Sequence, residues 1–342
     1  MPRKQTLVAI DLFAGCGGLT QGLKDAGIVV VGAVEINSLA AETYQMNHPE
    51  VQIWNEDIQK VSPHGIKQAL GLRARELDVL AACPPCQGFS SIRTLNGRRT
   101  VADDRNDLVL RVVDFVEVFK PKAVMLENVP GLAKDKRFST LTDLLRGCGY
   151  TYTWKIDDAA RHGVPQRRKR FILVAARRGK IGLPSPLEQT SSVRDAISYL
   201  PPPGVSGDPL HDTPVSRSDK VQALIRQIPK DGGSRSSLGL EHQLSCHTTF
   251  DGFKDVYGRM AWDKVAPTIT GGCINPSKGR FLHPEADRAI TLREAALLQT
   301  FPRSYRFSMS RGTYPVAEMI GNALPPKFIQ AHAREIVRYL QS

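Results

Sequence analysis

Five short apolar runs rich in Val, Ile, Leu and Ala recur through the first half of the chain, at 7–13, 28–35, 77–83, 123–129 and 171–176. Between several of them the apolar residues fall three and four apart, at 19–26, 38–47, 108–119 and 141–146, bounded by Gly, Pro or Asn. A run that is apolar at every position must be covered on both faces. Alternation with helical segments supplies that cover, because each parallel crossover carries a helix. The pattern predicts an α/β domain built on a parallel sheet with helices on both faces.

The texture changes after Arg178. From 184 to 283 Pro, Gly and Ser are frequent, as in Pro201-Pro202-Pro203-Gly204 and Asp231-Gly232-Gly233-Ser234, and long apolar runs are few. Helical spacing survives at 193–199 and 219–228, so the segment reads as a loop-rich lobe rather than a linker. It returns at 292–299 and 326–340. The expected organisation is a first domain over 1–183, a second over 184–283, and a segment over 284–342 that packs back on the first.

With 342 residues, 41% of them hydrophobic, the chain can bury two cores. Its formal net charge of +12 favours a polyanionic partner, since Lys and Arg gain affinity by releasing counterions from phosphates, although a charged solvated surface reads the same way. Six scattered cysteines in a chain of this size point to a reducing compartment. The basic start runs into a glycine-rich turn with no cleavage site, and no apolar run approaches the roughly 20 residues of a membrane span. A cytoplasmic or nucleoid-associated protein is expected.

Two motifs stand at strand ends. Asp11-Leu12-Phe13-Ala14-Gly15-Cys16-Gly17-Gly18 closes the first run and opens a helix, where an α/β sheet places its ligand crevice. Such a turn also fits NAD, another nucleotide or no ligand, but no Lys-[Ser/Thr] follows as a phosphate-cradling loop would need. Glu35 ends the second run and could accept hydrogen bonds from ribose hydroxyls; Asp57, in Asn55-Glu56-Asp57-Ile58, could meet an adenine amino group. The second motif, Cys83-Pro84-Pro85-Cys86-Gln87-Gly88-Phe89-Ser90, follows the third run. Its C-x-x-C spacing could be a redox pair or half a zinc site, but no second C-x-x-C or H-x-x-x-H completes a metal centre, and none is expected. Cys83 reads as a packing residue.

Taken in order, Asp11–Gly18, Pro85-Cys86-Gln87, Glu127-Asn128-Val129, Gln166-Arg167-Arg168-Lys169-Arg170 and Gly321-Asn322 resemble the DNA (cytosine-5)-methyltransferase family, over residues 11 to about 330. The resemblance implies a Rossmann-like sheet that binds S-adenosylmethionine and releases S-adenosylhomocysteine, with 184–283 as target-recognition domain. It implies a cofactor site from Phe13, Ala14, Gly15, Gly17, Gly18, Glu35, Ile36, Asp57, Ile58, Pro85, Leu108, Asn322 and Ala323. It implies a cytosine site from Cys86, Glu127, Arg168 and Arg170. Double-stranded DNA is the implied partner of a monomer without membrane contact, linked to a restriction endonuclease only genetically. Ala323 stands where the family often has a hydroxyl residue, and Ile36 where many members carry an aromatic.

The chemistry of these residue types agrees. A thiolate adding at carbon 6 of cytosine makes carbon 5 nucleophilic, and cysteine can later leave. Charge then builds on the ring, so an acid against ring nitrogen 3 helps; Glu127, in a pocket that raises its pKa, suits that task. Arg168 and Arg170 alternate in phase and should point to one side. The polar stretch 90–105, with Arg93, Arg98 and Arg99, reads as a lid. Competing functions are a tRNA cytosine methyltransferase, a binding protein that keeps the fold, and a nucleotide-dependent or redox enzyme. A recognition lobe of about a hundred residues favours DNA over tRNA.

Overall fold

The computed structural model describes residues 6–85, 107–239 and 255–342. In chain order the elements used below are β1 (Leu7–Leu12), α1 (Gly18–Asp25), β2 (Ile28–Val34), α2 (Ser38–Asn47), β3 (Gln52–Trp54), α3 (Pro63–Ala69), β4 (Val79–Ala82), α4 (Leu108–Phe119), β5 (Ala123–Asn128), α5 (Lys136–Gly147), β6 (Thr151–Asp158) and β7 (Lys169–Ala176). They continue with α6 (Val193–Ile197), α7 (Pro209–Asp212), α8 (Asp219–Gln227), α9 (Leu292–Leu298), α10 (Thr313–Asn322) and α11 (Pro326–Gln341). Two compact units result. The first takes Met1–His162, Lys169–Pro186 and Leu324–Ser342; the second takes Gly163–Arg168 and Leu187–Ala323.

The first unit is built on a seven-stranded sheet of order β3-β2-β1-β4-β5-β7-β6. Its first five strands are parallel, whereas β7 runs antiparallel to both β5 and β6. The sheet is therefore mixed rather than purely parallel: no helical crossover separates β6 from β7, and without one neighbouring strands pair antiparallel. In β4 and β5 every residue is buried, so both faces are covered. One face carries Ile10, Leu12, Leu80, Ala82, Leu126 and Leu173 against Val112, Phe115, Val116 and Phe119 of α4 and Leu141 and Leu145 of α5. Burying each of these large side chains stabilises the unit by roughly 1.5–3 kcal/mol.

The C-terminal helix α11 belongs to this unit and lies against α1 at a point where no side chain fits. A Cβ on Gly22 would stand 2.5 Å from both Cβ of Ile329 and the carbonyl oxygen of Pro326. The expected segment 284–342 is thus divided, with 324–342 in the first unit and 284–323 in the second.

The second unit includes a small apolar cluster of Ile225, Ile228 and Leu282, with Val221, Leu238 and Tyr257 against it, and it also buries Leu292, Leu298, Phe301, Val316 and Ile320. Irregular backbone leaves carbonyls without ladder partners, and buried ones need donors. Arg259, 0% exposed, supplies them: it donates to the carbonyls of Ile225, Ile228, His283 and Ala286 and pairs with Asp287. Arg293 does similar work, binding the carbonyl of Tyr305 and the carboxylate of Asp208. Among the described residues no helix is long and apolar enough to cross a membrane.

Candidate active site at the carboxyl edge of the sheet

Strand register brings the motifs into one row. Leu12 is level with Val34 and with Ala82, Val34 with Trp54, and Ala82 with Leu126. Phe13, Glu35, Asn55, Cys83 and Glu127 are therefore each one residue past that line, side by side at the carboxyl edge. The strand order reverses direction at β1 and β4, the position where open α/β sheets bind ligands.

The turn after β1 alternates in hand. Phe13, Gly15 and Gly17 have φ of 62°, 56° and 95°, and a Cβ on Gly15 would meet nothing within 4 Å. Glycine is needed there for its backbone angle and not for want of room. Glu35 braces the turn: its Oε2 accepts from the Gly15 amide at 2.8 Å and its Oε1 from the Asn37 amide at 2.7 Å. Burial pushes its carboxyl up, opposed by those backbone donors. Ala14 and Gly18 are buried beside it, while Ile36 is 66% exposed, a bare apolar side chain next to a carboxylate. Asp57 is half-buried, with Oδ1 accepting from the Gln59 amide, and Ile58 is buried in the core cluster. Leu108 opens α4 and packs at the margin of that cluster, and Pro85 is half-buried.

Asp11 was not singled out as a site residue, yet it is fully buried below this turn, where Thr20 donates to its Oδ2 at 2.7 Å and lies 2.8 Å from the Tyr44 hydroxyl. Burial raises its carboxyl to about 7 against the pull of the Thr20 hydrogen bond. Its place at the head of the glycine motif was the available signal.

At the other end of the row Glu127 is 2% exposed. Its Oε1 lies 2.9 Å from Nε of Arg170 on β7, and the Cys83 thiol donates to its Oε2 at 2.9 Å. Cys83, which reads as a packing residue in the sequence, thus also donates to a buried carboxylate. Nearby, Asn128 donates to the Pro84 carbonyl at 3.2 Å and ties the end of β5 to the segment after β4. Cys86, the expected nucleophile, lies outside the described residues, as does the expected lid 90–105.

The motif at 166–170 divides between the units. Arg170 meets Glu127, but Arg168 belongs to the second unit, where it is 3% exposed and donates to the carbonyls of Ile269 and Gly321, both at 2.9 Å. β7 starts at Lys169, so strand alternation does not extend to Arg168 and does not set which way it points. Gln166 accepts from the Ile269 amide and donates to Leu298 and Gln299. Gly321 touches backbone: a Cβ there would lie 2.1 Å from the Thr270 carbonyl carbon. Asn322 is exposed and Ala323 half-buried in this second unit.

A further polar group lies in the first unit. Asp157 and His162 are 2.7 Å apart at Oδ2 and Nε2, His332 of α11 approaches the same oxygen at 3.4 Å, and the Lys155 ammonium at 2.7 Å. Three of these could ligate a metal. The ammonium on the shared oxygen makes the group an ion cluster instead, because it would repel a cation.

The model of the C-5 cytosine-specific DNA methylases matches residues 7–338. The chain belongs to that family. Its enzyme class is DNA (cytosine-5-)-methyltransferase, whose substrate is DNA. A type II methylase of Herpetosiphon aurantiacus, M.HgiDII, is 32% identical over 97% of this chain and 95% of its own. The type II methyltransferase M.AgeI of Thalassovita gelatinovora is 30% identical over 96% and 98%. Among solved structures, an E. coli prophage protein described as a DNA modification methyltransferase superposes with a TM-score of 0.76 at 23% identity, covering 98% of this chain and all of the other, a likeness of fold.

Proposed function

We propose that this methylase acts on a cytosine turned out of duplex DNA, with Cys86 as covalent nucleophile, Glu127 as the acid at ring nitrogen 3 and Arg170 as its partner. The observation that carries the reading is the buried Glu127 carboxylate, paired with Arg170 at the sheet edge beside the segment that leads into Cys86. A stacked base cannot enter a pocket at a sheet edge, so the substrate must be extruded.

The Cys86 thiolate adds to carbon 6, and Glu127 meets the charge that develops at nitrogen 3. Carbon 5 is then nucleophilic. S-adenosylmethionine, when bound, supplies an electrophilic methyl group. Loss of the proton from carbon 5 lets Cys86 leave with its electron pair. The residues present fit this cofactor: the alternating turn 13–17 admits close backbone approach, Glu35 keeps lone pairs for ribose hydroxyls, and Ile36 offers apolar surface for adenine. Phe13, Ala14, Gly15, Gly17, Gly18, Asp57, Ile58, Pro85, Leu108, Asn322 and Ala323 complete the assignment. Arg168, which holds backbone in the second unit, is the remaining residue assigned to the cytosine site. Residues 184–283 read the target sequence.

The relatives named above are type II methylases, and we assign this chain the same modification role, as a monomer in the cytoplasm at the nucleoid, paired with an endonuclease only through its genes. A duplex with fluorine at carbon 5 of the target lacks the removable proton and should trap a stable adduct when S-adenosylmethionine is present. Peptide mapping should find it on Cys86, and Cys86→Ser should abolish it. An adduct elsewhere, or full methylation by Cys86→Ser, refutes the mechanism.

A further inference from the structure

Cys83 takes no part in the reaction as written, yet its thiol reaches the carboxylate that does. We propose that Cys83 is a positioning residue for Glu127: its thiol and the Arg170 guanidinium hold the two carboxylate oxygens and fix the plane in which the acid meets the cytosine ring. This rests on Glu127 being the acid of the reaction.

Three observations carry it. The Cys83 amide donates to the Leu12 carbonyl at 3.1 Å, and Ala82 is level with Leu126, so residues 83 and 127 stand next to each other on adjacent strands. Neighbouring strands are about 4.8 Å apart, within reach of a short thiol on one side and a three-torsion carboxylate on the other. The contacts are divided: the Cys83 thiol donates a hydrogen bond to Oε2, and Nε of Arg170 forms an ion pair with Oε1, each at 2.9 Å. The last torsion of a glutamate is soft and roughly two-fold, and a carboxylate held at only one oxygen can swing about it. With both oxygens held it cannot.

The choice of a thiol also has a consequence for protonation. Arg170 already favours the ionised form, and a second strong donor would oppose the proton that nitrogen 3 requires. A thiol is a weak donor. It orients the carboxylate while leaving protonation within reach. Among the described residues, Arg170 on β7 and Cys83 after β4 bring a charged or titratable group against Glu127.

The test is single-turnover methyl transfer to duplex DNA across pH, using Cys83→Ala, Cys83→Ser and Glu127→Gln in the full chain. If protonated Glu127 is required, the rate falls as pH rises through its apparent pKa. Cys83→Ala removes a donor to the carboxylate, so that alkaline limb should move up by about half a pH unit, while misorientation slows the step roughly tenfold with KM within about twofold. Cys83→Ser should restore the rate to within about threefold and move the limb below the Ala variant's, because a hydroxyl donates more strongly. Parental rate and profile in Cys83→Ala, or equal losses in both variants with an unmoved limb, overturn the proposal and leave Cys83 a packing residue. Should Cys83→Ala not fold, Cys83→Ser decides alone: a limb moved below the parental one supports the proposal and an unmoved one refutes it. Full activity in Glu127→Gln would instead remove the acid assignment, an outcome read independently of Cys83.

Discussion

Replacing Asp157 with Asn should cost the first unit about 2–3 kcal/mol at neutral pH. The carboxylate is 3% exposed, and its Oδ2 faces Lys155, His162 and His332, two of them at 2.7 Å. Removing one partner from a buried ion pair typically costs about 3–5 kcal/mol. The lower end applies here, because the Lys155 side chain is 29% exposed, can turn to water and already donates to the Pro184 carbonyl. Burial alone would push the Asp157 carboxyl up, but hydrogen bonds from His162 and Lys155, with the His332 ring beside them, outweigh it and hold the group well below the usual carboxylate range. A depressed carboxyl contributes stability that is complete above its unfolded value near ~3.9 and is lost as pH falls further, toward its folded value. The gap between parent and variant should therefore shrink below about pH 4. His332 adds a separate slope. Burial lowers its pKa while Asp157 pulls it up, so the parent loses stability as pH drops below ~6.5 and the variant, without that carboxylate, loses more, widening the gap on the way down to about pH 4. Urea unfolding at a series of pH values measures both effects, and protection of α11 amides from hydrogen exchange should fall in the variant. A loss below about 0.5 kcal/mol at pH 7, or a gap that stays constant down to pH 3, would refute the clasp.

Glu35→Ala and Asp57→Ala should each weaken S-adenosylhomocysteine by roughly 10- to 100-fold, while duplex binding without cofactor persists; unchanged calorimetric affinity in both would remove the crevice assignment. Exchanging residues 184–283 for the same lobe of a relative with known specificity should transfer the target sequence, as bisulfite sequencing would report. An active chimera that keeps the parental target would place recognition elsewhere.

Long, strongly apolar elements could be read directly from the chain. The strands at 7, 28, 79 and 123 and the helices at 38, 108 and 326 lie where periodicity puts them. β3 has three residues and escapes any periodic test. β6, Thr151–Asp158, is an edge strand with Trp154 and Ile156 exposed and Asp157 buried, the reverse of the usual pattern, because the ion cluster occupies its inner side. The row of residues at the sheet edge follows from strand ends and could be anticipated. The hydrogen bond between Cys83 and Glu127 could not, since it depends on the register between β4 and β5, which no local spacing encodes. The contacts of Arg168 with Ile269 and Gly321 were hidden for a related reason: it stands one residue before β7, where strand phase no longer applies.

The six residues Gly163–Arg168 belong to the second unit although first-unit chain flanks them on both sides. Gln166 and Arg168 fasten this insert to Ile269, Leu298, Gln299 and Gly321. Three of these four anchors lie beyond 283, but the insert is also sewn to the proposed recognition lobe: the Ala266 amide donates to the Pro165 carbonyl and its carbonyl accepts from Arg167, while Thr268 and Ser191 donate to the carbonyls of Arg167 and Gly163. A lobe acquired by recombination would therefore have to present backbone partners at the places of both Ala266 and Ile269 before residues 163–168 could seat, so that successful exchanges should come from relatives that keep this short seam.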